Sequence, residues 1–138
     1  MNKSLKTASW VGRIALFIVY FWFGAIKVFS ISAVSPLVKN LLEVTLPFIP
    51  FETFIIILGI FEMVVGLLWL WPKATKATTI LVMLHIFATL APLVLLPREI
   101  WQNLLVPTLE GQFIIKNVLI IALAYFIFSW RDKYEFER

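Results

Sequence analysis

The residues best placed for proton chemistry in this chain are Glu62 and His85, each near the middle of a long apolar stretch: IIILGIFEMVVGLLWLW around Glu62 and ATTILVMLHIFATLAPLVLL around His85. An ionised side chain at bilayer depth costs roughly 2.5 to 3.5 kcal/mol on insertion scales, so it calls for a partner or a use. Lys27, near the end of the first apolar stretch, and Lys116 with Asn117, near the start of the fourth, supply candidate partners. A carboxylate, an imidazole and one or two ammonium groups together can hold and pass protons, or bind a small polar headgroup, and the histidine's unperturbed pKa of about 6.5 suits a shuttle. Each residue also has a purely structural reading. Glu62 can pin a lysine and set helix packing, His85 can be a neutral hydrogen-bonded core residue, and Lys27 and Lys116 can snorkel to the headgroups. Asn117 can tie helices together.

The elements that must position these residues are membrane helices. Apolar residues make up 62% of the chain, charged ones only 14%, and the mean hydropathy is +0.96, more apolar surface than a soluble domain of 138 residues can hide. A hydrocarbon core of roughly 30 Å takes about 20 helical residues to cross. Four windows are long enough, near 10–29, 54–71, 77–96 and 112–130. The expected fold is all-α: one polytopic domain over residues 1–138, a four-helix transmembrane bundle with two lid segments on its outer side. The basic start and apolar run at the amino terminus read as a retained signal anchor, because the run through Tyr20, Phe21, Trp22 and Phe23 is too aromatic for a cleavable signal.

Basic residues outside the helix middles predict the orientation. Lys3, Lys6, Arg13, Lys73, Lys76, Arg131, Lys133 and Arg138 fall on one side, and only Lys39 and Arg98 on the other, eight against two. The positive-inside rule then places both termini in the cytoplasm, as expected of a multi-pass protein of the inner (cytoplasmic) membrane. The net charge of +4 is a topology signal rather than a nucleic-acid footprint, since the cations are dispersed over helix ends.

The absence of cysteine excludes a dithiol relay, disulfide exchange, iron–sulfur ligation and thioether haem attachment on this chain alone. A single histidine excludes bis-histidine haem, and His85 with Glu62 would give a metal only two protein ligands. No intrinsic cofactor is expected.

The outer connections, residues 30–53 and 97–111, mix apolar residues with proline and read as lids rather than tethers. A short helix is expected from Ser35-Pro36, with Leu37, Leu41 and Leu42 on one side; Ile100, Trp101, Leu104 and Leu105 fit the membrane interface between Pro97 and Pro107. At 1.5 Å per residue, Glu62 and His85 share a level near the midplane, and Lys27 and Lys116 lie closer to the outer ends. All four should face the bundle interior, around one outward-opening pocket rimmed by Glu52, Glu110 and Gln112, with Gly24, Gly59 and Gly66 letting helices approach closely. Trp69, Trp71, Trp101 and Trp130, near span ends, read as interface anchors.

Gly24-Ala25-Ile26-Lys27, Ser35-Pro36-Leu37, Gly59-Ile60-Phe61-Glu62 followed by Gly66, His85, and Gly111-Gln112-Phe113-Ile114-Ile115-Lys116-Asn117 occur in this order over nearly the whole chain. The set resembles the DoxX-like superfamily, in particular its YkgB-type inner-membrane branch. It departs at Asn117, where that branch favours an acidic residue. The resemblance implies a four-helix subunit of a membrane redox system, in a superfamily of mixed functions whose name-giving members are linked to thiosulfate oxidation with quinone as acceptor. On the redox reading of the residues, Glu62 and His85 are the proton-handling residues, Lys27, Lys116, Asn117 and Glu110 are ligand contacts, quinone is an exchangeable ligand, and a partner protein carries the electrons. The departure at Asn117 leaves Lys116 without the neighbouring carboxylate that a proton relay there would use. The residues also allow a small-solute or anion carrier built on Lys27 and Lys116, which would need a homo-oligomer, and an assembly subunit whose charges only hold the bundle together.

Overall fold

The structure, a computed structural model, describes residues 3–29 and 35–135, with side chains described as far as Arg131. Residues 30–34 of the first lid, Arg138 and the side chain of Lys133 lie outside the described residues. Four helices are long and apolar enough to cross a membrane. They are α1 (Lys3–Val28), α3 (Phe51–Trp69), α4 (Thr75–Thr89, extended to Leu95 by the turns that flank it) and α7 (Leu109–Glu135). Between α1 and α3 lies α2 (Ser35–Thr45), and between α4 and α7 lie α5 (Pro92–Leu95), α6 (Pro97–Ile100) and a small hairpin of β1 (Trp101–Asn103) and β2 (Val106–Pro107). The protein is thus an all-α polytopic bundle with two structured connections at one end, here termed the lid side; the ends of α1 and α7 that carry the chain termini mark the terminal side.

The helices close into a ring: α1 packs most extensively on α3, α3 on α4, α4 on α7, and α7 back on α1. Each contributes a pair of buried residues one turn apart to the main core: Leu16 and Tyr20, Val65 and Trp69, Val82 and Ile86, Ala124 and Ile127. Trp69 is therefore a core residue and not an interface anchor, unlike the exposed Trp71. The α1–α3 seam is tight because of its glycines. A Cβ on Gly24 would stand 2.5 Å from the Gly59 carbonyl oxygen, and one on Gly59 2.6 Å from that of Gly24. Gly66 meets Phe21 about two turns further along the same seam.

The lid side has a core of its own, Leu37, Ile100 and Ile114, joined by Leu90, Leu93, Leu96 and Trp101. As expected, α2 turns Leu37 and Leu42 inward and leaves Lys39 and Glu43 exposed. The Asn40 side-chain amide donates to Glu99 Oε1 at 3.0 Å, linking the two connections. The span expected near 77–96 is present as Pro72–Leu95. It is interrupted where α4 stops at Thr89 and α5 resumes at Pro92, because Pro92 has no amide hydrogen to offer the preceding turn and its ring crowds the carbonyl four residues back. One expectation is corrected. Ile100, expected in the membrane interface, is fully enclosed in the lid core. The start of α7 is set by Thr108, whose Oγ1 accepts the Gly111 amide at 3.2 Å, an N-cap at the third helical residue.

Candidate functional site

Lys27 and Glu62 meet on the α1–α3 seam, Nζ to Oε2 at 2.7 Å, with both side chains more than nine-tenths enclosed. Their convergence follows from helix polarity. Side chains lean toward the amino terminus of their helix, so Lys27 leans down from the lid-side end of α1, and Glu62, on the antiparallel α3, leans up to meet it. Nζ also donates to the Phe23 carbonyl one turn below, at 3.4 Å. The glycine contact between Gly24 and Gly59 brings the two backbones close enough for this pairing.

His85 joins from α4. Its Nε2 lies 3.2 Å from Glu62 Oε1, within ion-pair range. The approach is misaligned for a hydrogen bond, so this buried nitrogen has no hydrogen-bond partner among the described residues. On the other side of the ring, Nδ1 lies 3.2 Å from the Tyr20 hydroxyl. With Tyr20 donating to Nδ1, a neutral ring carries its proton on Nε2, beside the carboxylate. Phe61 and Tyr20 flank the imidazole, each with ring centroids 5.6 Å from it and tilted. The result is a chain of four polar groups, Tyr20–His85–Glu62–Lys27, threaded through three helices between the main core and the lid core.

The packing differs from an open pocket. His85 keeps the most exposure of the cluster, at 12% of its side chain, and the groups touch one another rather than line a void. A shallow groove of about 610 Å³ does exist, but it runs between α1 and Leu123 of α7 on the terminal side, past Ser4, Ala8 and Gly12, away from these residues.

The other expected site residues do not join. Lys116 is exposed, with Nζ 5.4 Å from the centroid of the Phe113 ring one turn back. The buried face of α7 at this level is Gly111 and Ile114, which leaves Lys116 on the opposite side, and its lean toward the amino-terminal end of α7 carries the ammonium toward the lid-side boundary, where the same lean carries that of Lys27 deeper. That corrects the expectation that all four groups face inward. Asn117 is half-buried and donates to Thr89 Oγ1 at 3.1 Å, tying α7 to α4. Glu110, Gln112 and Glu52 are exposed at the lid-side ends of their helices. Among the described residues no three His, Asp or Glu side chains converge as a metal ligand set.

Two polar residues went unrecognised in the sequence. In the sequence Tyr20 is one of a dense aromatic run, and only the three-helix packing shows its hydroxyl on His85. Its i, i+4 spacing from the buried Leu16 was the available signal. Arg13, read as a topology marker, is buried on the terminal side. It donates from Nη1 to the Trp69 carbonyl at 3.1 Å and from Nη2 to Thr75 Oγ1 at 2.7 Å, while Thr75 donates to the Pro72 carbonyl at 2.6 Å. It closes the turn between α3 and α4.

Compared with known protein families, curated proteins and solved structures, the chain matches none.

Proposed function

We propose that this protein is a DoxX-like, redox-linked subunit of the inner membrane, both termini cytoplasmic, in which the Tyr20–His85–Glu62–Lys27 chain exchanges protons with the headgroup of an isoprenoid quinone. The observation that carries this reading is the buried His85 Nε2, held beside a carboxylate yet without a hydrogen-bond partner among the described residues. In the tautomer with its proton on Nε2, the ring can donate to a quinone carbonyl and be recharged through Glu62. Reduction of a quinone to a quinol takes two electrons and two protons. The cysteine-free chain with its single histidine is equipped for the protons, and a partner protein with a redox centre would supply the electrons.

Lateral entry between α3 and α4 suits an apolar carrier. That seam is much less extensive than α1–α3, and partly exposed Phe61 covers His85 there. The reading as an anion carrier draws less support, because Lys27 is engaged by Glu62 and Lys116 lies outside the cluster. The assembly reading is favoured by one feature, the pinning of α1 to α3 by the ion pair and the Gly24–Gly59 contact.

The deciding experiment is quinone binding in lipid nanodiscs, measured by mass spectrometry of retained lipid-soluble molecules and by titration with a soluble quinone analogue. Saturable binding by the native chain, lost in a folded His85→Ala variant and weakened in Glu62→Gln, is expected. Equal binding by native chain and His85→Ala would remove the site, and no saturable binding by the native chain would leave the assembly role.

A further inference from the structure

The hairpin on the lid side carries two unfavourable features at the same two residues. Its strands pair Trp101 with Pro107 and Asn103 with Val106, which leaves Leu104 and Leu105 as the turn. Leu104 is 91% exposed and Leu105 83%. Leu105 also has φ 61°, the left-handed conformation that turns in water give to glycine or asparagine. Among the described residues nothing covers the two leucines, although the hairpin is firmly rooted. Ile100 before it is fully buried in the lid core, the Thr108 amide after it donates to the Ile100 carbonyl at 2.7 Å, and the Trp101 indole donates to the Leu93 carbonyl at 3.4 Å.

The surroundings identify what covers the tip. From Trp101 to Leu109 the chain has no charged residue. The exposed apolar strip Leu104, Leu105 and Val106 runs on into Leu109 and Phe113, which begin the outward face of a membrane-spanning helix. Only Thr108 separates the hairpin from that helix. At about 3.3 Å per extended residue, the tip lies within reach of the headgroup layer, itself roughly 6 Å deep on each side of the hydrocarbon core.

We infer that the Leu104–Leu105 tip inserts into the lid-side leaflet of the bilayer and anchors the lid to the membrane surface. The tip then stands in an apolar medium, where a leucine pair is favoured and the turn's conformational cost is met by burial outside the protein. Because Asn40 binds Glu99 and Leu37 packs on Ile100, anchoring the hairpin also holds α2 over the lid-side end of the bundle.

The cysteine-free sequence makes the test direct. Nitroxide labels on Leu104→Cys and Leu105→Cys, in the full chain in liposomes, should collide with dissolved oxygen in preference to a water-soluble nickel chelate. The ratio should exceed several-fold that of a label on Glu43→Cys of α2. Chelate access equal to that of Glu43→Cys would overturn the inference by placing the tip in water. Shielding from both reagents, with dipolar broadening between labels, would overturn it in favour of a second copy of the chain. A label on Val106→Cys guards against perturbation of the tip by the labels themselves. There, adding Leu104→Asn and Leu105→Gly, a pair suited to a solvated turn, should raise chelate access several-fold; no change would refute insertion.

Discussion

The bundle buries polar groups in two places, and they differ in kind. On the terminal side, Arg13 donates to a main-chain carbonyl and a threonine hydroxyl. Its guanidinium does not lose its proton in the accessible pH range, and it sits at the carboxyl end of α3, where the helix dipole favours a cation. Toward the lid side, Lys27, Glu62, His85 and Tyr20 end on one another, and every one of them can gain or lose a proton. Burying charge is costly in both places, and each includes a residue with a buried ring nitrogen that has no hydrogen-bond partner among the described residues, Trp69 Nε1 in the first and His85 Nε2 in the second. Of the two, only the imidazole can take up and release a proton. A knot closed on the backbone fixes geometry; a chain of titratable side chains with an open position can do chemistry.

The largest effect should come from breaking the ion pair. Glu62→Ala strands the buried Lys27 ammonium and should cost about 3–5 kcal/mol of unfolding free energy, read by denaturant unfolding in mild detergent. The double variant Lys27→Met, Glu62→Leu should recover most of that loss while weakening quinone binding; recovery of both would mean that the pair is only a packing device. Arg13→Met removes the charge-assisted hydrogen bonds to Trp69 and Thr75 and should cost about 3 kcal/mol, with quinone occupancy per folded molecule unchanged. A fall in occupancy would erase the distinction between the two knots. Gly59→Ala drives a methyl group against the Gly24 carbonyl and should cost about 1–3 kcal/mol, with a weaker Lys27–Glu62 contact visible as a shift in the lysine ammonium resonance. Lys116→Gln, outside both knots, should change stability by no more than about 0.5 kcal/mol, in the same unfolding assay.

Much of this was open to reading before the fold. The apolar windows gave the number of spans, the proline and leucine spacing gave α2, and the three glycines marked the α1–α3 seam. The contrast between Lys27 and Lys116 was also readable, though it was missed. Both lie near lid-side helix ends, but α1 arrives at the lid side and α7 departs from it, so the same backward lean sends one ammonium deeper into the bilayer and the other toward its surface. That Lys116 also faces away from the bundle follows from the rotation of α7, which buries Gly111 and Ile114 instead. Arg13 was missed for a different reason: positive-inside counting treats every basic residue near a span end as solvated, and this one is folded under the α3–α4 turn. Pro92 carried a readable stop signal that the hydropathy of its window concealed.

Hydropathy, residue periodicity and helix polarity are properties of the chain taken one segment at a time, and they are enough to specify a four-helix membrane bundle with structured lids and ionisable groups near mid-depth. Which groups touch depends on the rotation and neighbour order of the helices. Those follow from summed side-chain packing across seams, and no single segment encodes them. Tertiary structure alone placed the Tyr20 hydroxyl on His85, turned His85 Nε2 beside Glu62 but out of hydrogen-bond alignment, and left Leu104 and Leu105 standing out from the lid.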